Sequence, residues 1–129
     1  MAASTSFRIS DATKARLASR AAREGMTATA LLGQLIVEGI DQLDYPGIIF
    51  RGPAHDRRAA LATGPDVWEI VLWLQDLPTE GNPAQVLAAE QGISRALIDA
   101  ALRYQEAYPE EVEARIALHR HETAAADSR

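Results

Sequence analysis

The first forty residues predict a single short strand followed by two helices, and no other feature constrains the fold as strongly. Residues 4–9 alternate polar and apolar side chains, so that Phe7 and Ile9 share one face of a strand. A lone strand leaves both of its edges unpaired, and one strand with two helices cannot bury this much apolar surface alone. Two copies solve both problems by pairing their strands as an antiparallel ribbon over four helices. The segment therefore predicts a homodimer.

Capping residues set the limits of the two helices. Ser10 is a typical N-cap and Gly25 a typical C-terminal glycine, which together predict a helix over residues 11–24. Thr27 caps the second helix, whose apolar residues recur at helical spacing up to Ile40. The expected dimer core is made of apolar residues from all three elements: Phe7, Ile9, Leu17, Leu31, Leu32, Leu35 and Ile36.

Residues 4–40 resemble the ribbon-helix-helix domains of the Arc, MetJ and CopG superfamily. The resemblance rests on the alternating strand, the helix after it, the turn Gly25-Met26-Thr27 and the apolar second helix. In that family the outward strand residues of the two chains enter the major groove of DNA. The resemblance implies base contacts from Ser4, Ser6 and Arg8. It also implies phosphate contacts at the start of the second helix, from Thr27, Ala28 and Thr29.

A four-helix dimerisation module whose ribbon binds nothing is the alternative interpretation of this segment. The base-facing set contains one arginine and two serines, so base recognition would need support from neighbouring dimers or from DNA shape. Net charge is −5, which by itself argues against a nucleic-acid binder. Its distribution is uneven, because residues 1–43 hold five basic and four acidic side chains and residues 44–129 hold eight and fourteen. A near-neutral N-terminal part followed by an acidic part indicates that the two parts have different functions.

The turn cluster at residues 44–47 predicts a boundary between a first domain, 1–43, and a second, 44–129. Residues 48–51 predict a strand, and residues 57–61 predict its returning partner, with a helix from residue 58 as the alternative. A helix is expected between Asp66 and Leu77.

Two further helices, over 83–91 and 94–108, resemble a helix-turn-helix because small and buried residues surround Gly92. Arg95, Asp99 and Arg103 would face solvent on its second helix, so a structural hairpin and a second DNA-reading element are both open. The expected fold is therefore mainly α, with a ribbon-helix-helix domain followed by a β-hairpin and a winged-helix-like domain.

Residues 46–116 resemble a family of unknown function with a winged-helix-like core that occurs in many antitoxins. The resemblance rests on Tyr45-Pro46-Gly47-Ile48, on Gly64-Pro65-Asp66-Val67-Trp68-Glu69 and on Tyr108-Pro109-Glu110-Glu111. Together the two resemblances imply a VapB-type antitoxin that represses its own operator and neutralises a toxin with a PIN-like RNase fold. A stand-alone repressor and a scaffold that never binds DNA are the other two hypotheses.

The last predicted helix, over 109–121, begins with acidic residues, and residues 123–129 are expected to form a loose tail. An acidic amphipathic helix can lie across a basic RNase groove. The candidate toxin-binding residues are Glu110, Val112, Glu113 and Ile116. The alternative is a surface helix that packs on its own domain.

No pattern of side chains predicts catalysis or a cofactor. The chain has no cysteine, which excludes disulfides, thiolate metal sites and cysteine nucleophiles. His119 and His121 lie two residues apart, so on a helix they point to different sides and cannot easily share a metal ion. The N-terminus has no apolar run of signal-peptide length. The sequence therefore predicts a cytoplasmic, non-enzymatic protein without metal or cofactor.

Overall fold

A computed structural model describes residues 3–128. The chain divides into two compact units, Met1–Gly39 and Ile40–Arg129. It is mainly helical, with six helices and one two-stranded antiparallel sheet among the described residues. The boundary between the units falls within the second helix, four residues before the predicted domain boundary.

Unit 1 contains helix α1 (Asp11–Arg23) and most of helix α2 (Ala28–Asp44). The Ser10 hydroxyl accepts a hydrogen bond from the amide of Thr13 at 3.1 Å, as expected of an N-cap. Gly25 ends α1 in the left-handed conformation, with φ of 68°. The amide of Met26 donates to the carbonyl of Ala21, and the amide of Gly25 donates to that of Ala22. These two bonds form a Schellman motif.

Residues 3–10 adopt no strand in the single chain, although their sequence predicts one over 4–9. Every residue of this segment is exposed, and no neighbouring strand lies within the described part of the same chain. A strand requires a partner for its backbone donors and acceptors. The segment therefore lacks the partner that its predicted conformation requires.

In unit 2 the end of α2 is followed by a β-hairpin formed by strands β1 (Ile48–Arg51) and β2 (Arg58–Leu61). The strands pair antiparallel, with Ile48 opposite Leu61 and Arg51 opposite Arg58. The hairpin was predicted, and the alternative of a helix from residue 58 is wrong. Gly52 has φ of +105°, and a Cβ at this position would lie 2.3 Å from the carbonyl oxygen of Asp56. The connection between the strands therefore requires glycine.

Four helices follow the hairpin: α3 (Val67–Asp76), α4 (Pro83–Gln91), α5 (Arg95–Ala107) and α6 (Pro109–Asp127). At the start of α3 the amide of Asp66 donates to Glu69 Oε1 at 3.0 Å, which forms half of a capping box. Asn82 and Ser94 cap α4 and α5 through their side chains, and Gly92 ends α4 with φ of 65°. Cap residues thus place the predicted limits of these helices within about two residues of the observed ones.

Helix α6 is longer than predicted, because residues 123–127 continue it and do not form a loose tail. The segment Thr123–Asp127 contains three consecutive alanines, and alanine has the highest intrinsic helix propensity. The Thr123 hydroxyl also donates to the carbonyl of His119 at 2.9 Å, within the same helix. Propensity prolongs the helix here without tertiary burial, since all residues from 117 to 128 are exposed.

The hydrophobic core of unit 2 joins the hairpin to α3, α4, α5 and α6. Its largest fully buried side chains come from all of these elements: Ile48, Leu61, Val67, Ile70, Leu87, Ile98, Tyr104 and Ile116. Trp68 and Trp73 of α3 are half-buried and pack against this core. Burial of a large aliphatic side chain contributes about 1.5–3 kcal/mol, so this core makes unit 2 the better-packed part of the chain.

Candidate dimer and nucleic-acid interface

The residues expected to contact bases lie in the exposed segment before α1. Ser4, Ser6 and Arg8 are all accessible to solvent, as DNA contact requires. The apolar residue between them, Phe7, has 82% of its surface exposed. Leaving a phenylalanine in water forgoes about 1.5–3 kcal/mol relative to burying it. The segment therefore presents polar side chains, an unburied apolar ring and unpaired backbone groups together.

An open apolar groove of about 660 Å³ lies between α1 and α2 in unit 1. Five of the seven residues predicted for the dimer core line it: Ile9, Leu17, Leu31, Leu32 and Leu35. Only Leu31 of these is buried, at 5% exposure, whereas Leu35 is 51% exposed. Phe7 and Ile36 lie outside the groove, and Ile36 is 46% exposed. Unit 1 thus leaves most of its apolar side chains uncovered.

The N-terminus of α2 carries the residues expected to contact phosphate. The Thr27 hydroxyl accepts a hydrogen bond from the amide of Ala30 at 3.1 Å, so it serves as the helix cap. The amides of Ala28 and Thr29 occupy the first helical positions, where the helix itself offers no acceptor. Such amides, at the positive end of the helix dipole, can bind an anion.

Basic side chains outnumber acidic ones in unit 1 but not in the rest of the chain. Residues 1–39 contain five basic and three acidic side chains, whereas residues 40–129 contain eight and fifteen. All five basic side chains are exposed: Arg8, Lys14, Arg16, Arg20 and Arg23. Arg20 pairs with Glu24 at 3.0 Å. Unit 1 is therefore the part of the chain whose charge suits a polyanion.

On the predicted recognition surface of the helix-turn-helix, Arg95 is paired with other residues of the same two-helix motif. Arg95 Nε donates to Asp99 Oδ1 at 3.0 Å, and Arg95 Nη1 donates to Asn82 at 3.3 Å. The Ser94 hydroxyl accepts from the amide of Leu97 as the cap of α5. Arg103 is exposed on the same helix. This pairing favours a structural hairpin over a second DNA-reading element.

The candidate toxin-binding residues fall on two different faces of α6. Val112 and Ile116 are 2% and 1% exposed and belong to the core of unit 2. A partner could reach these two side chains only if α6 left the domain. Glu110 and Glu113 are exposed, and Glu113 accepts a hydrogen bond from Gln75 at 3.4 Å. Of the four candidate residues, only the two glutamates are open to a partner.

A network of charged side chains around Asp66 was not predicted from the sequence. Arg58 Nε donates to Asp66 Oδ2 at 2.8 Å, and Trp68 Nε1 donates to the same oxygen at 3.2 Å. Arg51 Nε lies 3.2 Å from Asp66 Oδ1 as an ion pair without hydrogen-bond alignment, while its Nη2 donates to the carbonyl of Gly64. Asp66 thereby ties both strands of the hairpin to the start of α3.

Asp56, in the turn of the hairpin, extends this network to α6. Arg115 Nη2 lies 2.5 Å from Asp56 Oδ1, and Arg58 Nη1 lies 3.3 Å from Asp56 Oδ2. The hydrogen bond from Arg115 is the main cause that lowers the pKa of Asp56 below its usual 3.8. Asp56 and Arg115 are 59 positions apart in the sequence, so no local pattern predicts their contact.

We expect Asp56→Asn to destabilise the protein at neutral pH and to lose this effect in acid. Because folding lowers the pKa of Asp56, its carboxylate stabilises the fold above pH 3.8, the usual value, and this contribution disappears as the pH falls through the folded-state pKa. Urea unfolding of both proteins between about pH 7 and about pH 2 measures the difference. A difference in unfolding free energy that does not shrink below pH 3.8 would contradict the assignment.

Two tyrosine hydroxyls bind carboxylates elsewhere in unit 2. The Tyr108 hydroxyl donates a hydrogen bond to the buried Asp41 carboxylate at 2.7 Å. This hydrogen bond is the main cause that raises the pKa of Tyr108 to about 12. Tyr104 donates to Glu111 at 2.8 Å, and its burial is the main cause that raises its pKa. The first bond fastens the C-terminal end of α2 to the junction of α5 and α6.

The two histidines near the C-terminus have different surroundings. His119 packs against Trp68, with ring centroids 5.1 Å apart, and His121 is exposed. Within residues 3–128 no group of three or more histidine, aspartate or glutamate side chains is placed to hold a metal ion. In the same range, no helix is both long and apolar enough to cross a membrane.

Comparison with known proteins finds no matching family model, no matching curated protein and no matching solved structure.

Proposed function

We propose that the protein is a dimeric DNA-binding regulator whose residues 4–40 act as a ribbon-helix-helix domain. The observation that carries this proposal is the state of unit 1 in the single chain. Within residues 3–128 its N-terminal segment has no strand partner, and its apolar groove is open. A second copy would supply a strand to pair with the first and side chains to fill the groove. One symmetric partner thus satisfies both deficits.

DNA is the ligand that the charge and geometry of unit 1 favour. In a paired ribbon the side chains of Ser4, Ser6 and Arg8 would share the face opposite Phe7 and Ile9. Lys14 of α1, which lies beside Arg8, and the free amides at the start of α2 would then neutralise backbone phosphates. The winged-helix-like arrangement of unit 2 belongs to the same proposal and is supported by the hairpin and the α4–α5 pair.

We expect Arg8→Ala to weaken binding to the protein's own promoter by about 1–3 kcal/mol without altering the dimer. Arg8 is the only base-facing residue of the set able to form a bidentate pair with guanine. A mobility-shift titration at fixed salt measures the loss, with Arg120→Ala as the exposed control, because Arg120 lies on α6 outside both candidate DNA-contacting segments. Equal affinity of Arg8→Ala and the parent protein would remove Arg8 from the interface. No shift with the parent protein at any salt would favour the scaffold hypothesis.

Neutralisation of a PIN-like RNase toxin is the proposed task of unit 2. The excess of seven acidic over basic side chains in residues 40–129 suits a basic RNA-binding surface. Glu110 and Glu113 are the exposed acidic candidates on α6. Co-expression with the product of an adjacent short reading frame, followed by purification of the pair, tests the partner. A stand-alone repressor would bind its promoter fully but retain no such product.

A further inference from the structure

A small pocket in unit 2 lies between the turn of the hairpin, the start of α3 and one face of α6. We name it the α6 pocket after the four residues of that helix that line it: Arg115, Leu118, His119 and Glu122. Its volume of about 230 Å³ is smaller than the roughly 300–1,000 Å³ of sites that hold drug-sized ligands. The α6 pocket therefore suits a smaller molecule than those sites hold.

The four lining residues of α6 follow one another along a single face of the helix. Their positions are spaced by three, one and three residues, so they cover two turns on the same side. Arg115 and Glu122 are seven residues apart in the sequence, which corresponds to about 10 Å along the helix axis. Leu118 and His119 lie between them. The α6 pocket thus has a basic end and an acidic end, with an aliphatic and an aromatic side chain in the middle.

At the basic end, the ionic network around Asp56 and Asp66 contains more positive than negative charge. Three guanidinium groups, from Arg51, Arg58 and Arg115, pair with only two carboxylates. Each of the four carboxylate oxygens already has an arginine nitrogen within 3.3 Å. One positive charge is therefore left over, which matches the single negative charge of a carboxylate.

The arginines at the basic end also have hydrogen-bond donors that the protein does not use. Arg115 contacts Asp56 and donates to the carbonyl of Arg57 through Nη2 alone, so its Nε and Nη1 have no acceptor in the described part of the chain. Arg58, which also lines the α6 pocket, donates through Nε and Nη1 and leaves Nη2 without an acceptor there. Guanidinium donors of this kind bind carboxylates through short, charge-assisted hydrogen bonds.

The acidic end and the middle of the α6 pocket are also open to a ligand. Glu122 is exposed, and among residues 3–128 its carboxylate has neither an ion pair nor a hydrogen bond. Leu118 is 50% exposed, and the rings of Trp68 and His119 lie 5.1 Å apart beside it. The middle therefore offers apolar surface to methylene groups, and Glu122 offers a negative charge to a cation.

We propose that the α6 pocket binds a small elongated zwitterion of the ω-amino carboxylic acid class. Its carboxylate would bind Arg115 and Arg58, its ammonium group would bind Glu122, and the methylene groups between them would lie against Leu118 and Trp68. Because Asp56 holds the guanidinium of Arg115 at the hairpin turn, the two charges of the ligand must be far apart. The site lies within unit 2, so it depends neither on the proposed dimer nor on DNA binding.

Titration of the ¹⁵N-labelled full-length protein with 6-aminohexanoate, followed through the indole N–H signals in NMR spectra, tests the site. Trp68 lines the α6 pocket and Trp73 of the same helix does not, so the two signals serve as probe and internal control. We expect a saturable shift of the Trp68 signal, with a dissociation constant in the millimolar range. No saturable shift, or an equal shift of the Trp73 signal, would overturn the proposal.

Three related molecules test whether both charges and their spacing matter. Hexanoate lacks the ammonium group, hexylammonium lacks the carboxylate, and the isomer 2-aminohexanoate carries both groups on one carbon atom. Each can reach only one end of the α6 pocket, so each should bind about two- to fivefold more weakly than 6-aminohexanoate, as expected for the loss of one exposed ion pair. Equal affinity for any of the three would contradict the proposed zwitterion.

Glu122→Gln removes the charge of the acidic end alone. Glu122 is exposed and its carboxylate has no contact in the described part of the chain, so the fold should persist. We expect this variant to bind 6-aminohexanoate about two- to fivefold more weakly and to lose the preference for it over hexanoate. Glu106→Gln is the matched control, because Glu106 is exposed on α5 outside the α6 pocket. A preference that survives in Glu122→Gln, or that disappears in Glu106→Gln, would remove Glu122 from the site and overturn the proposal.

Discussion

The full-length variant Leu35→Asp is expected to be a folded monomer at concentrations where the parent protein is a dimer. Leu35 lines the groove of unit 1 and is 51% exposed in the single chain, so the carboxylate is solvated when no partner is present. In the dimer the same carboxylate would be buried without a partner, which costs about 3–5 kcal/mol per site. The dimer contains two such sites, so the dissociation constant should rise by several orders of magnitude.

Sedimentation equilibrium measures the oligomeric state, and far-UV circular dichroism checks that the helices persist. Leu118→Asp is the matched control, because Leu118 is 50% exposed but lies on α6, outside unit 1. We expect this control to remain dimeric. A dimeric Leu35→Asp with parent-like affinity would show that the groove does not face a second copy.

The second large effect is expected from Asp66→Ala, which should lower the unfolding free energy by about 2–4 kcal/mol. Asp66 is 8% exposed. Its Oδ2 accepts hydrogen bonds from Arg58 and Trp68, and its Oδ1 forms an ion pair with Arg51. Its removal leaves two guanidinium groups without their shared counter-charge. The side chains of Arg58 and Arg51 are 28% and 41% exposed, so water offsets part of the cost, and the estimate is reduced accordingly.

Asp66→Asn separates charge from hydrogen bonding in this prediction. Asparagine retains one oxygen acceptor for Arg58 and Trp68 but lacks the negative charge. We expect its stability to lie between those of the parent protein and Asp66→Ala, as measured by the urea midpoint. If the unfolding free energy of both variants falls by less than about 0.5 kcal/mol, the network around Asp66 does not stabilise the packing of the hairpin on α3.

Local signals in the sequence predicted the limits of most helices. Most of the features that the sequence did not predict depend on contacts between distant segments. Ser10, Gly25 and Gly92 mark helix ends through the conformations of their own backbones and side chains, so a short window suffices. The prediction of a loose tail over residues 123–129 is wrong, because three consecutive alanines favour helix at a chain end, where poor order is common.

The ionic network depended instead on how distant segments meet. Arg51, Asp56, Asp66 and Arg115 come from a strand, a turn, a helix cap and the last helix. Nothing in the neighbourhood of any one residue identifies its partner. The candidate interface is similar in this respect, since the sequence predicts which residues of unit 1 are apolar, whereas in the proposed dimer their burial would require a second chain.

The distribution of aromatic residues determines which optical signal can follow each part of the molecule. Both tryptophans lie on α3, all three tyrosines lie at residue 45 or later, and residues 1–39 contain Phe7 as their one aromatic side chain. Intrinsic fluorescence therefore reports the melting of unit 2 and is blind to changes confined to unit 1. If unit 1 orders only when two chains meet, dilution should reduce the helical circular dichroism signal while the tryptophan emission maximum stays fixed.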